Sequence, residues 1–204
     1  MKSGHNNPTP GASALLRRER TPVAKADAAW DREERPALPE DFPRVLIAGV
    51  GNELLSDDGV GVHAVRALQA EPIPGVTMID IGTAILHGLD YLESADRVLV
   101  IDATNGGQPP GTIYLFDAEA NERPKVVTSI HAMGLREAAN LLLDGRRVPS
   151  IAVLGVEPLT FDYGMKLSCP VQASLPRVVS LARQTVLRWR REKGTTKTAA
   201  LAEA

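Results

Sequence analysis

Val45-Leu46-Ile47-Ala48-Gly49-Val50-Gly51-Asn52-Glu53-Leu54-Leu55-Ser56-Asp57-Asp58-Gly59-Val60-Gly61 is the stretch whose reading fixes the class of fold. Its first six residues are apolar or glycine, with no polar interruption. Such a run marks a strand covered on both faces, and those strands belong to parallel sheets flanked by helices. Gly49, Gly51 and Asn52 end it in a turn. From Asp58 a helix is expected, because Val60, Ala64, Ala67 and Leu68 fall at i, i+4, i+7 and i+8. Glu71-Pro72-Ile73-Pro74-Gly75 closes that helix.

The alternation repeats downstream. Val76–Ile81 reads as a strand, with a turn at Gly82-Thr83 and a helix near Ile85–Glu93. Val98–Asp102 is another doubly buried run, and Thr112–Phe116 alternates like an edge strand. A helix near His131–Leu143 stacks Leu135, Ala138, Ala139 and Leu142, with Gly145 placed to end it. Ile151–Val156 is the last strand. Val171, Leu175, Val178, Val179, Ala182, Val186 and Trp189 then mark one face of a closing helix in which Pro176 should introduce a kink. The expected fold is α/β and three-layered: a doubly wound, mostly parallel sheet of about five strands, one antiparallel edge strand, and helices on both faces.

The flanks read differently. Residues 1–43 hold six of the 15 prolines and mixed charge with few large apolar residues, so they are expected to be a disordered extension. No apolar stretch follows their paired arginines, which argues against a targeting signal. Residues 44–193 would form the working domain and 194–204 a flexible tail. Across all 204 residues, 23 Lys plus Arg against 25 Asp plus Glu give a net charge of −2, which offers no case for a nucleic-acid partner. No apolar run approaches the roughly 18 residues of a membrane span. The single cysteine, Cys169, excludes an intramolecular disulfide and fits a cytoplasmic location.

In a doubly wound sheet the ligand crevice lies beyond the C-terminal strand ends. The polar residues expected there are Asn52, Asp57 and Asp58, then Asp80 and Thr83, then Asp102 and Thr104. Asp57-Asp58 also has the plain reading of helix-start acids. Asp102 emerges from a buried run, where a carboxylate costs desolvation unless it is paired or ligates something. His131 alone would be an ordinary helix-start histidine. Together Asp58, Asp102 and His131 make an oxygen-and-nitrogen set suited to a divalent metal, with a coordination position left open for hydrolysis. His63, His87 and His5 have no such company. Cys169, between Ser168 and Pro170, reads as a packed or capping-region residue rather than a nucleophile. A dinucleotide site is the competing motif, but the third glycine of its fingerprint would fall at Leu54.

The stretch from Gly49 to Gly61 resembles the opening signature of the hydrogenase maturation endopeptidases, which trim the C-terminal tail of the [NiFe]-hydrogenase large subunit. Asp80-Ile81-Gly82-Thr83 is similar to that family's Asp-Gly-Gly-Thr turn, and Val100–Ala103 to its strand-end aspartate. Ser129–Leu135 resembles its histidine-bearing helix start, and Leu154–Pro158 its last strand and turn. The likeness spans roughly residues 44–190. It implies an endopeptidase, classed as aspartic-type, that acts on a precursor already holding nickel. The nickel would belong to the substrate, so no tightly bound cofactor of the chain's own is expected. Asp58, Asp102 and His131 would carry the metal-contacting and catalytic roles. Gly51, Asn52, Asp57, Asp80, Gly82 and Thr83 would bind substrate or support the turns around it. Two departures stand out: many relatives have Glu at the place of Asp58, and Ile81 replaces a glycine of the turn. A non-catalytic nickel-sensing chaperone and a dinucleotide-binding enzyme are the alternative readings.

Overall fold

The computed structural model describes residues 43–84, 88–118, 130–142 and 148–192. The expected extension at 1–43 (Pro43 aside), the tail at 194–204, His5, His87 and Gly145 lie outside them. Within them the chain runs β1 (Val45–Val50), α1 (Val60–Gln69), β2 (Val76–Gly82), α2 (Leu89–Ser94), β3 (Arg97–Ala103), β4 (Ile113–Asp117), α3 (Ile130–Leu142), β5 (Ser150–Val156) and α4 (Cys169–Arg191).

These strands form one five-stranded sheet in the order β2-β1-β3-β5-β4. β1 pairs in parallel with β2 and β3, and β3 in parallel with β5. β4 lies antiparallel to β5 at the edge, as its alternating sequence suggested. Period-2 geometry then sorts the central strands between two cores. Val45 and Ile47 of β1, with Leu99 and Ile101 of β3, join α1 and α4 on one face. Leu46, Ala48 and Val50, with Val98 and Val100, join α2 and α3 residues on the other. Both faces are covered, which is why the sequence of β1 shows no polar alternation. Each buried Val, Leu or Ile here is worth about 1.5–3 kcal/mol against its exposed state.

One helical expectation is adjusted. The helix after β1 begins at Val60, not Asp58, because Ser56–Gly59 form a turn of 3₁₀ helix ahead of it. Neither Asp57 nor Asp58 caps that turn, since both carboxylates are used elsewhere. α4 is a single 23-residue helix that includes Pro176.

The chain passes from β1 outward to β2, then returns to the other side of β1 for β3. The crevice between the C-terminal ends of β1 and β3 is therefore the topological switch point of the sheet, where such folds place their ligands. No helix among the described residues is long and apolar enough to cross a membrane.

Candidate active site

Three side chains meet at the switch point. Asp102 has the strand parity of Val98 and Val100, so it emerges on the face that packs α3. His131 stands in the first turn of α3, and its Nδ1 lies 3.1 Å from Asp102 Oδ1. His131 Nε2 lies 3.9 Å from Asp58 Oδ2 on the turn that follows β1. The imidazole thus stands between two carboxylates from different elements. Side-chain exposure is graded across the row: 25% for His131, 11% for Asp58 and none for Asp102. The His131 ring keeps the most open surface, Asp58 only a sliver, and Asp102 is sealed behind the ring.

The turn that delivers Asp58 is built by its glycine and asparagine. Gly51 has φ +118°, and a Cβ there would stand 1.8 Å from the carbonyl oxygen of Asp58, so only glycine lets the chain double back. The Asn52 side chain accepts from Leu54 N–H at 3.0 Å, closing a local Asx turn. The Asn52 backbone N–H donates to Asp58 Oδ2 at 2.8 Å, which fixes the oxygen facing His131. Gly51 N–H donates to Gly82 O at 3.0 Å, tying the end of β2 to the same turn.

Asp57 is fully buried and faces away from this row. It accepts from Leu159 N–H at 2.8 Å, Thr160 N–H at 3.2 Å, Ser168 N–H at 2.7 Å and the Ser168 hydroxyl at 2.8 Å. One carboxylate therefore holds both ends of the β5–α4 loop. Ser56 beside it adopts φ +46°, a left-handed conformation that costs a non-glycine residue energy and needs surrounding contacts to persist. Those contacts are Ser56 N–H to Gly164 O at 2.8 Å and Ser56 Oγ to Asp162 O at 2.9 Å.

The remaining expected residues take other positions. Asp80 pairs with Arg66 at 3.1 Å, and Arg66 also forms a two-pronged pair with Glu53, so Asp80 is engaged with α1 rather than with His131. Thr83 is exposed in the turn after β2. Thr104 is buried, and its hydroxyl lacks a hydrogen-bond partner among the described residues. Cys169 is the first residue of α4 after the N-cap Ser168, the capping-region place expected of it, and is exposed.

Glu157 was quoted in the sequence only as part of a motif. It is buried and accepts from Gly106 N–H at 2.7 Å, Gly107 N–H at 3.1 Å and the Tyr114 hydroxyl at 2.5 Å. Burial, reinforced by the hydrogen bond to that carboxylate, pushes the Tyr114 hydroxyl up to about 12. Glu157 thereby pins the loop that leaves the β3 end of the crevice. Its partners lie 43–51 residues away, so sequence spacing offers no signal for it.

The hydrogen bond to Asp102 raises the pKa of His131 above the ordinary 6.5, outweighing the opposing effect of burial, and the charges of Asp102 and Asp58 add to the rise. A raised folded-state value means the pairing stabilises the fold fully below about pH 6.5, and that stability is lost as pH rises through the higher folded value. Stability of the wild type should therefore decline with pH just above 6.5, and His131→Asn should remove that slope. Urea unfolding at a series of pH values reads it; an unchanged slope in the variant would rule out the pairing.

Among the described residues no group of three or more His, Cys, Asp or Glu side chains is set to hold a metal ion by itself. The 3.9 Å between His131 Nε2 and Asp58 Oδ2 is nonetheless within the roughly 4.2 Å that two ligand bonds to one divalent metal can span. The pair can accept a metal presented from outside, one nitrogen and one oxygen on the same ion.

Comparison with known proteins converges on one group. The family model described as hydrogenase maturation protease matches residues 62–185. The hydrogenase expression/formation protein HupD of Rhizobium leguminosarum bv. viciae is 33% identical over 164 residues, 76% of this chain and 79% of the relative. The hydrogenase 2 maturation protease of Escherichia coli (strain K12) is 31% identical over 158 residues, 74% of this chain and 93% of the relative. Among solved structures, the [NiFe] hydrogenase maturation protease HybD from Thermococcus kodakarensis superposes with a TM-score of 0.61 at 31% identity, covering 70% of this chain and 98% of that one. The hydrogenase maturating endopeptidase HybD from E. coli gives 0.60 at 26% identity over 71% and 93%.

Proposed function

This chain belongs to the hydrogenase maturation protease family, and from that premise we propose that it removes the C-terminal extension of a [NiFe]-hydrogenase large-subunit precursor after nickel insertion. The observation that carries the reading is the row Asp102–His131–Asp58 at the switch point, with His131 and Asp58 open to a substrate. Nickel enters as part of the substrate. His131 Nε2 and Asp58 dock on it, Asp102 holds the ring by Nδ1, and the scissile bond is brought to the crevice beside them. Asp58 takes a proton from the attacking water, whose oxygen adds to the peptide carbonyl, and Asp58 passes that proton to the departing amine as the C–N bond breaks. This is hydrolysis by a carboxylate without a covalent enzyme intermediate, the sense in which the label aspartic-type fits. The single cysteine, Cys169, supports a reducing, cytoplasmic setting.

Intact-mass measurement of the precursor tests the reading. With nickel-loaded precursor the mass should fall by one C-terminal segment, and nickel-free precursor should stay whole. Binding without mass loss would favour a non-catalytic chaperone. Equal cleavage of both forms would overturn recognition through nickel.

A further inference from the structure

Large apolar side chains that stay exposed are scattered on most surfaces, but here they gather. Of seven among the described residues, five are Leu54, Leu159, Phe161, Tyr163 and Met165, exposed by 56, 58, 48, 93 and 66%. Four of these occupy every second position of the β5–α4 loop. The alternate positions, Thr160, Asp162 and Gly164, are tied down through their backbone, although the Asp162 side chain is itself exposed. Thr160 N–H is held by Asp57, the carbonyl of Asp162 accepts from Ser56 Oγ, and Gly164 exchanges backbone bonds with Leu54 and Ser56. The fifth apolar side chain, Leu54, lies in the turn beside Leu55, the residue that Gly164 meets in an isolated bridge. The loop is therefore pinned through its backbone and displays mainly apolar and aromatic groups, with Asp162 and Lys166 as the exposed charges among them.

We propose that this surface docks the protein substrate, gripping an apolar face of the large-subunit precursor next to the bond to be cut. The proposal rests on the processing function above and names where the partner is held. Its occupant follows from continuity with the site. The loop leaves the C-terminal end of β5, the strand paired with β3, whose end carries Asp102. It is bonded to Leu54 and Ser56 of the turn that carries Asp58, so loop and row share one end of the sheet. Pinning the backbone in advance lowers the ordering cost of binding, and exposed Tyr, Phe and Met are residue types that supply most of the energy at protein interfaces.

The test uses the full chain, nickel-loaded precursor, and two readouts: precursor Kd by interferometry, and cleavage by intact mass. Changing Leu159, Phe161, Tyr163 and Met165 together to Ser should weaken Kd and raise KM at least about thirtyfold, with the loss in KM rather than kcat. Tyr163→Ser alone should cost about fivefold. That single variant decides the matter should the fourfold one fail to fold, since Tyr163 makes almost no packing contact at 93% exposure. Unchanged Kd in the variants overturns the docking surface. So does a wild-type dimer that the variants convert to monomer without change in Kd, because a second copy would then be the occupant. A wild type that binds precursor but never shortens it refutes processing instead, so the two failures are distinguishable.

Discussion

His131→Ala is expected to abolish tail removal while leaving a folded protein. The imidazole is the group between the two carboxylates, and its Nε2 faces outward beside Asp58. Removing a group that positions substrate or a proton at the reacting centre costs roughly a hundred- to ten-thousandfold in kcat/KM. The fold loses one hydrogen bond to a buried carboxylate, about 1–3 kcal/mol. Asn at the same position separates the two effects. Its amide nitrogen can stand near where Nδ1 stood and donate to Asp102, so stability should recover. It offers no outward ring nitrogen, so activity should not. Processing by His131→Ala at the wild-type rate would show that the row is not the site.

Asp57→Asn should be the most damaging substitution for stability, with a loss of about 3–5 kcal/mol. The carboxylate is fully buried and is an acceptor for four donors. Leu159 N–H, Thr160 N–H and the Ser168 hydroxyl converge on Oδ2, and Ser168 N–H points at Oδ1. An amide keeps only one acceptor, so its NH₂ must face at least one buried N–H. For a domain of this size the melting temperature should fall by about 10 °C. Ser56 would also lose part of the frame that holds its left-handed backbone, and the β5–α4 loop would come free. Urea unfolding of the wild type and the variant measures the loss. A loss under about 1 kcal/mol would show that the loop is held by other contacts.

Asp57 and Asp58 show how far residue patterns reach. As neighbours ahead of a helix they read alike, as first-turn acids. In the structure one faces His131 and the other is a structural clasp, and the difference lies in partners more than 100 residues away. Asp80 shows the same limit: its place at a strand end suggested the crevice, but no spacing rule indicated that Arg66 of α1 would bridge it to Glu53. Asp102 was legible because a carboxylate at the end of four apolar residues needs a local explanation wherever the chain goes. The β5–α4 loop was not, because its backbone is fastened by Ser56, Asp57 and Leu54, which no spacing rule connects to it.

Local patterns in the chain were enough for the layered α/β fold, the strand run from Val45 to Val50 and the three polar residues, Asp58, Asp102 and His131, that the fold brings together. Strand and helix periodicities are local, and a polar group leaving a buried run is visible one residue at a time. Only the tertiary structure decided the strand order that makes the crevice between β1 and β3, the grading of exposure from Asp102 to His131, and the fastening of an apolar loop beside Asp58. Those are outcomes of long-range packing and hydrogen bonding. Their energy arises between segments that the linear order keeps apart.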